Sequence, residues 1–156
     1  MKTLQIEIPE GFKIDSFDIT TGQIKFTPTP KDIKEQIKTF QDAIIKLGEE
    51  DEDVKAFRSI ENLEIPKHII AHLQLIIIAK ALNEGWTPNW SDSRQYKYYP
   101  WFDMENSSAG GFVYCDGGYW FALTAVGSRL CYSSRELVEY AGKQFKDIYE
   151  EYFVIK

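Results

Sequence analysis

Residues 66–86 read PKHIIAHLQLIIIAKALNEGW, and this stretch separates two different kinds of sequence. Pro66 and Gly85 are typical of the start and the stop of a helix. Apolar residues between them cover much of the helix circumference, which predicts the central buried helix of the domain. The segment contains His72 and Lys80 and is too short to cross a bilayer.

Upstream of this helix, short strands give way to helices. Leu4–Ile8 and Gln23–Thr27 alternate apolar and polar side chains, which predicts the two strands of an N-terminal β-ribbon. From Pro30 to Leu47, apolar residues recur three or four positions apart, which predicts one amphipathic helix with Thr29 as its cap. A further short helix is expected after the acidic run Glu49–Asp53.

The acidic run Glu49–Asp53 has three interpretations. The first is a solvated helix start, where carboxylates favour the positive end of the helix dipole. A divalent-cation loop is the second, although the spaced Asp/Asn/Gly pattern of a calcium site is missing. In the third, the run would mimic the charges of DNA and bind a basic DNA-handling protein.

Downstream of Gly85, aromatic residues crowd into positions 86–121, and the chain as a whole is 15% aromatic. Strand propensity is high there, which predicts a meander with a tight hairpin turn at Asp116-Gly117-Gly118. The predicted strands are Tyr96–Met104, Phe112–Cys115, Tyr119–Leu123 and Arg129–Tyr132.

The last element is predicted to be a helix that Ser133 caps, with Glu136 reaching back in a capping box. Strands and helices are thus segregated along the chain. The expected fold class is α+β, as a single domain over 1–156. We expect an antiparallel sheet, formed by the N-terminal ribbon and the C-terminal meander, with about four helices packed mainly on one face.

Composition narrows the biological setting. The 156 residues carry a net charge of −6, which disfavours binding to nucleic acid unless a local basic patch exists. The N-terminus has neither the apolar core nor the cleavage site of a signal peptide, so a soluble cytoplasmic protein is expected, without membrane contact. Two cysteines, Cys115 and Cys131, are too few for a disulfide scaffold, and whether they pair is left open.

Several stretches together carry a resemblance to a known group of proteins. They are Ile8–Asp15 (IPEGFKID), Ala81–Trp90 (ALNEGWTPNW), Tyr96–Met104 (YKYYPWFDM), Val126–Cys131 (VGSRLC) and Glu139–Phe145 (EYAGKQF). The set resembles a family of small proteins encoded by prophages and other mobile elements of gut-type anaerobic bacteria. The resemblance implies a bacterial cytoplasm and a phage or mobile-element origin. It implies no catalytic residue, because the family has no assigned activity.

No arrangement typical of an enzyme is visible in the sequence. His68 and His72 lie four apart on one helix face, but a zinc protease would have Glu after the first histidine, and here Ile69 stands there. Cys115 precedes Asp116, yet a cysteine nucleophile also needs a base within hydrogen-bond reach. We therefore expect a non-enzymatic protein without a cofactor or a metal site.

The aromatic stretch is the one feature that suggests a function. Most of its rings are expected to fill the space between sheet and helices. If helices cover only one face, some rings must stay accessible and could form a protein-binding hot spot. Single-stranded nucleic acid is the alternative ligand, with bases stacked on the rings and basic side chains on phosphates. The candidate binding residues are the aromatic Tyr96, Tyr98, Tyr99, Trp101 and Phe102 and the basic Arg94, Lys97 and Arg129.

The sequence therefore predicts an accessory protein of a prophage or mobile element that acts by binding an unidentified protein partner. Exposed strand edges would also allow self-association.

Overall fold

A computed structural model describes residues 5–29, 31–105 and 111–155. The chain divides into two compact units, Met1–Asp32 and Ile33–Lys156. Within the described ranges the protein contains six α-helices and two antiparallel sheets of two strands each, so the predicted α+β class is confirmed. The strands do not join into the one larger sheet that we expected, and the helices outnumber the predicted four.

The first unit is a β-ribbon in which β1 (Phe12–Phe17) pairs with β2 (Ile24–Pro28). The turn between them is closed by Asp18, whose carboxylate accepts hydrogen bonds from the backbone N–H groups of Thr20 and Thr21 at 2.8 and 3.2 Å. This turn pairs β2 with β1, the segment directly before Asp18. The predicted strand over Leu4–Ile8 is wrong, because its described residues 5–8 form no strand. Leu4 itself lies outside the described ranges.

The second unit begins with four helices and ends with two. Their buried side chains form one core around the longest helix, α4 (Lys67–Leu82), whose Leu75, Ile77 and Ile78 are fully buried. Each such side chain stabilises the fold by about 1.5–3 kcal/mol. Among the described helices, none has the length and apolar character needed to span a bilayer. The helices are α1 (Ile33–Gln36), α2 (Phe40–Leu47), α3 (Glu52–Ile60), α4 (Lys67–Leu82), α5 (Arg135–Gln144) and α6 (Lys146–Phe153).

The single helix predicted from Pro30 to Leu47 is two helices, α1 and α2. Thr39 interrupts it, because its hydroxyl accepts from the backbone N–H of Asp42 at 3.1 Å while the Asp42 carboxylate accepts from the Thr39 N–H at 2.8 Å. This capping box starts a new helix. The apolar stripe nevertheless faces the core as predicted, with Ile37 and Ile44 buried. The expected first residue, Pro30, is not among the described residues.

The acidic run lies at the start of α3 and is partly neutralised by the protein's own cations. Lys80 contacts the carboxylates of Asp51 and Asp53 at 2.7 Å each, and Arg58 pairs with Glu49 at 2.8 Å. Partial burial opposes ionisation of Asp51, but hydrogen bonds from Lys80 and from the start of α3 lower its pKa overall. These contacts fit the helix-start interpretation and leave less free charge for imitating DNA.

The second sheet consists of β3 (Lys97–Asp103) and β4 (Val113–Trp120). The predicted hairpin turn at Asp116-Gly117-Gly118 is wrong, since these residues lie inside β4. The predicted strand over Arg129–Tyr132 is wrong as well. Ser128–Leu130 forms a 3-10 helix, and only Tyr132 bridges β3, through two backbone hydrogen bonds with Tyr98.

The C-terminal helix is predicted correctly apart from its cap and its continuity. Ser134, rather than Ser133, caps α5 and accepts a hydrogen bond from the backbone N–H of Leu137 at 3.2 Å. At Phe145 the backbone leaves the helical conformation, so α6 begins as a separate helix at Lys146. Both helices are close to the β3–β4 sheet and determine which of its rings are covered.

Candidate binding surface

The two faces of the β3–β4 sheet follow from strand alternation and from the observed pairing. Tyr98 and Phe102 point to one face together with Tyr119 and Tyr114, their partners on β4. We call this the packed face, because Gly117, which points the same way, faces Val138 of α5. The opposite face carries Lys97, Tyr99 and Trp101 from β3 and Gly118 and Trp120 from β4, and we call it the indole face.

On the packed face, Phe102 belongs to the core. Its ring centroid lies 4.2 Å from that of Phe112 and 4.9 Å from that of Tyr149 in α6. Next to it, Tyr114 lies directly against Gly142 of α5. Phe102 was a candidate binding residue, but its contacts are those of a packing residue.

The same face ends in a cluster of four rings, those of Tyr96, Tyr98, Tyr119 and Phe121. We call these rings the tyrosine cluster. Tyr96 lies 4.9 Å from both Tyr119 and Phe121 in an edge and a tilted arrangement, and Tyr98 lies 5.9 Å from Tyr119. Tyr98 is half-buried, whereas the other three rings are exposed. The candidates Tyr96 and Tyr98 therefore lie together, supported by two rings from the end of β4 and the residues after it.

The indole face has two exposed tryptophans. Trp101 is 55% exposed and Trp120 is 43% exposed, whereas Tyr99 between them is only 6% exposed. Around these rings runs an open groove of about 410 Å³. The groove is lined by Tyr99, Trp101, Cys115, Asp116, Gly118, Tyr119 and Trp120.

Gly118 is what allows the Trp101 indole to lie so close to β4. A Cβ atom at Gly118 would be only 2.0 Å from Trp101 Nε1 and 3.0 Å from Tyr99 Cε2. Any other residue at this position would therefore displace the indole. The ring is held against backbone on one side and is open to solvent on the other.

Lys97, a candidate for binding phosphates, is buried at the other end of the indole face. It is 1% exposed, and its ammonium donates to the backbone carbonyls of Asp92 and Gln95 at 3.1 and 2.8 Å. The ammonium also lies 5.4 Å from the Trp90 ring, a cation–π distance. Lys97 thus fixes the loop that follows α4 instead of facing a ligand.

The two candidate arginines do not line the groove between the tryptophans. Arg94 lies on the loop before β3 and pairs with the neighbouring Asp92 at 3.4 Å. Arg129 lies on the 3-10 helix and lines a different cavity, together with Trp86 and Thr87. The groove contains one charged group, the carboxylate of Asp116, which Arg135 contacts at 3.0 Å.

Of the candidate reactive groups, His72 and Cys131 are occupied or shielded, whereas Cys115 is exposed and lines the groove. His72 stacks on Tyr152 with ring centroids 5.0 Å apart. Across residues 5–29, 31–105 and 111–155, no three metal-binding side chains lie close enough to hold an ion. Cys115 and Cys131 are both free thiols, and burial raises the pKa of Cys131 to about 11, which disfavours its reactive thiolate.

Sequence reasoning did not select Trp120 and Gly118, which complete the groove. On β4 these two residues alternate in the same way as Trp101 and Tyr99 do on β3, and that spacing was the available signal. The predicted turn at Asp116-Gly117-Gly118 excludes Gly118 from any strand and separates it from Trp120, which the sequence places in the predicted strand Tyr119–Leu123.

Comparisons with known proteins add no relative: the chain matches no family model, no curated protein and no solved structure. The resemblance to prophage-encoded proteins accordingly stays a prediction.

Proposed function

We propose that this protein is a non-enzymatic accessory protein of a phage or mobile element, and that it binds another protein through its indole face. One observation carries the proposal. Trp101 and Trp120 are both exposed on the same side of a two-stranded sheet, and Gly118 lets the Trp101 indole lie close against β4. Tryptophan is the residue most typical of binding hot spots.

The size of the groove suits a protein side chain or short segment. Covering the exposed half of one indole removes on the order of 100 Å² of apolar surface from water, worth about 2–3 kcal/mol. Two such rings supply a large share of the free energy of a micromolar complex, which is about −8 kcal/mol. The pairing of β3 with β4 fixes the backbone of Trp101, so only side-chain freedom of the indole is lost on binding.

The alternative, single-stranded nucleic acid, has less support. Exposed rings could stack on bases. Phosphates, however, need cations beside the rings, and Lys97 is buried while Arg94 and Arg129 do not line the groove. The net charge of −6 and the carboxylate of Asp116 also disfavour the binding of phosphates. The proposal therefore favours a protein partner.

The experiment is a capture assay with three forms of the folded chain and a bacterial lysate. The double variant Trp101→Ala/Trp120→Ala removes both indoles. Ile45→Ala on α2 is the matched control, because Ile45 is an apolar side chain that is 70% exposed and does not line the groove. We expect the native chain and the control to retain the same partner in stoichiometric amount, and the double variant to lose it.

Two results would count against the proposal. If the double variant captures the partner as well as the native chain does, the indole face is not the site. If fluorescent oligonucleotides at low salt quench the tryptophan emission and this binding depends on the two indoles, nucleic acid is the ligand. If the partner is a second copy of the chain, the molar mass measured by light scattering should rise with protein concentration.

A further inference from the structure

A second cavity of about 410 Å³ lies at the end of α4, separate from the indole face. Its walls come from α3, α4, the loop after α4 and the 3-10 helix. The side chains that matter are Lys80, Asn83, Trp86, Thr87, Ser128 and Arg129. Its volume lies within the range of about 300–1,000 Å³ that is typical of small-molecule sites.

Hydrogen bonds hold the walls of this cavity together. Asn83 at the end of α4 donates to the carbonyl of Cys131 at 2.9 Å and accepts from the backbone N–H of Ser133 at 3.0 Å. The indole N–H of Trp90, in the loop, donates to the Ser128 hydroxyl at 2.7 Å. These bonds connect the helix, the loop and the 3-10 helix, so the cavity exists before any ligand arrives.

Some polar groups of the cavity already have an ion-pair or hydrogen-bond partner in the described part of the chain, and others do not. Lys80 is held by two carboxylates, Asp51 and Asp53. In contrast, the Arg129 guanidinium, the Thr87 hydroxyl and the Trp86 indole N–H have no partner within the described part of the chain. The guanidinium and the indole N–H can only donate hydrogen bonds, so a ligand there must bring acceptors.

We propose that this cavity binds a small molecule with a planar ring and one anionic group. Of the two cations that line the cavity, Arg129 has no partner among the described residues and would bind the anion through two N–H groups. Trp86, half-buried in the wall, offers a flat surface for the ring, and Ile76 and Pro88 add apolar contacts. No residue of this cavity lines the groove between Trp101 and Trp120, so this proposal does not depend on the protein-binding function.

The local charges favour a carboxylate over a phosphate. Lys80 with Asp51 and Asp53 carries a combined charge of about −1, and Arg129 adds +1. These charges sum to about zero, so Asp51 and Asp53 repel a doubly charged phosphate more strongly than they repel a ligand with a single negative charge. A ring carboxylate is therefore the expected chemical class.

The test is calorimetric titration of the full chain with matched pairs of ligands. Benzoate, nicotinate and indole-3-carboxylate are each compared with their uncharged amides, which keep the ring and lose the charge. Adenosine monophosphate and adenosine form the phosphate pair. We expect at least one acid to bind and its amide to bind at least about tenfold more weakly, the effect of losing one charge-assisted hydrogen bond.

Two variants locate the site. Arg129→Gln should weaken binding of the acid at least about tenfold. Arg94→Gln is the control, because Arg94 is an exposed arginine that does not line the cavity. Equal losses in both variants would overturn the proposal, as would binding of the amides as tight as that of the acids.

Other outcomes are equally decisive. If no acid and no monophosphate binds below about 10 mM, the cavity is not a ligand site. If adenosine monophosphate alone binds, and Arg129→Gln abolishes it, the ring-plus-anion chemistry is supported and the preference for a carboxylate is wrong.

Discussion

The packed face and the indole face of the β3–β4 sheet use the same residue types for different purposes. On the packed face, Phe102 and Tyr114 contact α5, α6 and Phe112. On the indole face, Trp101 lies close to Gly118 of β4, and both Trp101 and Trp120 remain exposed. Aromatic content alone therefore does not identify a binding surface, and the covering elements decide which rings a partner can reach.

Glycines mark the difference between the two faces. Gly142 lets α5 approach Tyr114, and Gly118 lets the Trp101 ring lie on β4. At Gly142, a helix and a strand of the core come close together. At Gly118, a single exposed ring approaches the strand. Substitutions at the two glycines should therefore separate stability from recognition.

The largest effect is expected from Gly142→Ala. The new Cβ atom would be 2.3 and 2.6 Å from two ring atoms of Tyr114 and 3.3 Å from Pro100 Cβ. Alanine favours a helix by about 1 kcal/mol over glycine, but contacts this short place the overpacking cost at the upper end of about 1–3 kcal/mol, so we expect a net loss of about 2 kcal/mol. Urea denaturation measures it. Adding Tyr114→Leu should recover part of the loss, and a Gly142→Ala chain at least as stable as the native one would show that α5 does not pack on this face.

A somewhat smaller loss is expected from Tyr149→Phe beneath the packed face. The hydroxyl groups of Tyr132 and Tyr149 are 2.8 Å apart, and both side chains are buried. Removing one hydroxyl leaves the other unsatisfied, at a cost of about 1–2 kcal/mol in the free energy of unfolding. Tyr152→Phe, at a half-buried position of the same helix, is the control and should change stability little. Similar losses in both variants would mean that the buried pair does not form.

The same buried pair predicts how stability responds to alkaline pH. Burial raises the pKa values of Tyr132 and Tyr149 above the ordinary value of about 10. In the unfolded chain these phenols lose their protons near pH 10, while the folded chain retains them, so unfolding releases protons there. The free energy of unfolding should therefore fall as the pH rises through about 10. Denaturation at pH 8, 10 and 11 tests this, and the double variant Tyr132→Phe/Tyr149→Phe should show a shallower fall. An identical pH dependence in both proteins would contradict the burial.

The smallest effect on stability is expected from Gly118→Ala on the indole face. Its Cβ atom would meet Trp101 Nε1 at 2.0 Å, but this ring is exposed and can turn away. We expect a loss below about 1 kcal/mol, together with a changed near-ultraviolet circular dichroism spectrum and weaker partner binding. Val113→Ala, at an exposed position of the same strand, should change neither measurement. An unaltered spectrum in Gly118→Ala would show that the indole does not lie on this glycine.

The elements that sequence predicted well are those with a strong local signal. The long α4 follows from its continuous apolar composition between Pro66 and Gly85, and β3 follows from the residues around Tyr98. Asp116-Gly117-Gly118 was misread because this tripeptide is typical of hairpin turns. The glycines are instead required by Val138 and Trp101, which are distant in sequence.

The candidate site was predictable only in part, for the same reason. Trp101 and Tyr96 are exposed, as an accessible aromatic surface requires. Lys97 looked like a surface cation between two tyrosines, yet the carbonyls of Asp92 and Gln95 enclose it. Which carbonyls a folded loop presents to a lysine is not encoded in local spacing.

Hydroxyl-radical footprinting, read by mass spectrometry on the free chain and on its complex with the captured partner, tests the difference between the two faces most directly. In the free chain, we expect oxidation at the exposed Trp101 and Trp120 and protection of the buried Tyr132 and Tyr149. In the complex, both indoles should become protected. Indoles that resist oxidation in the free chain, or that are oxidised equally in the complex, would contradict an open indole face that binds a protein.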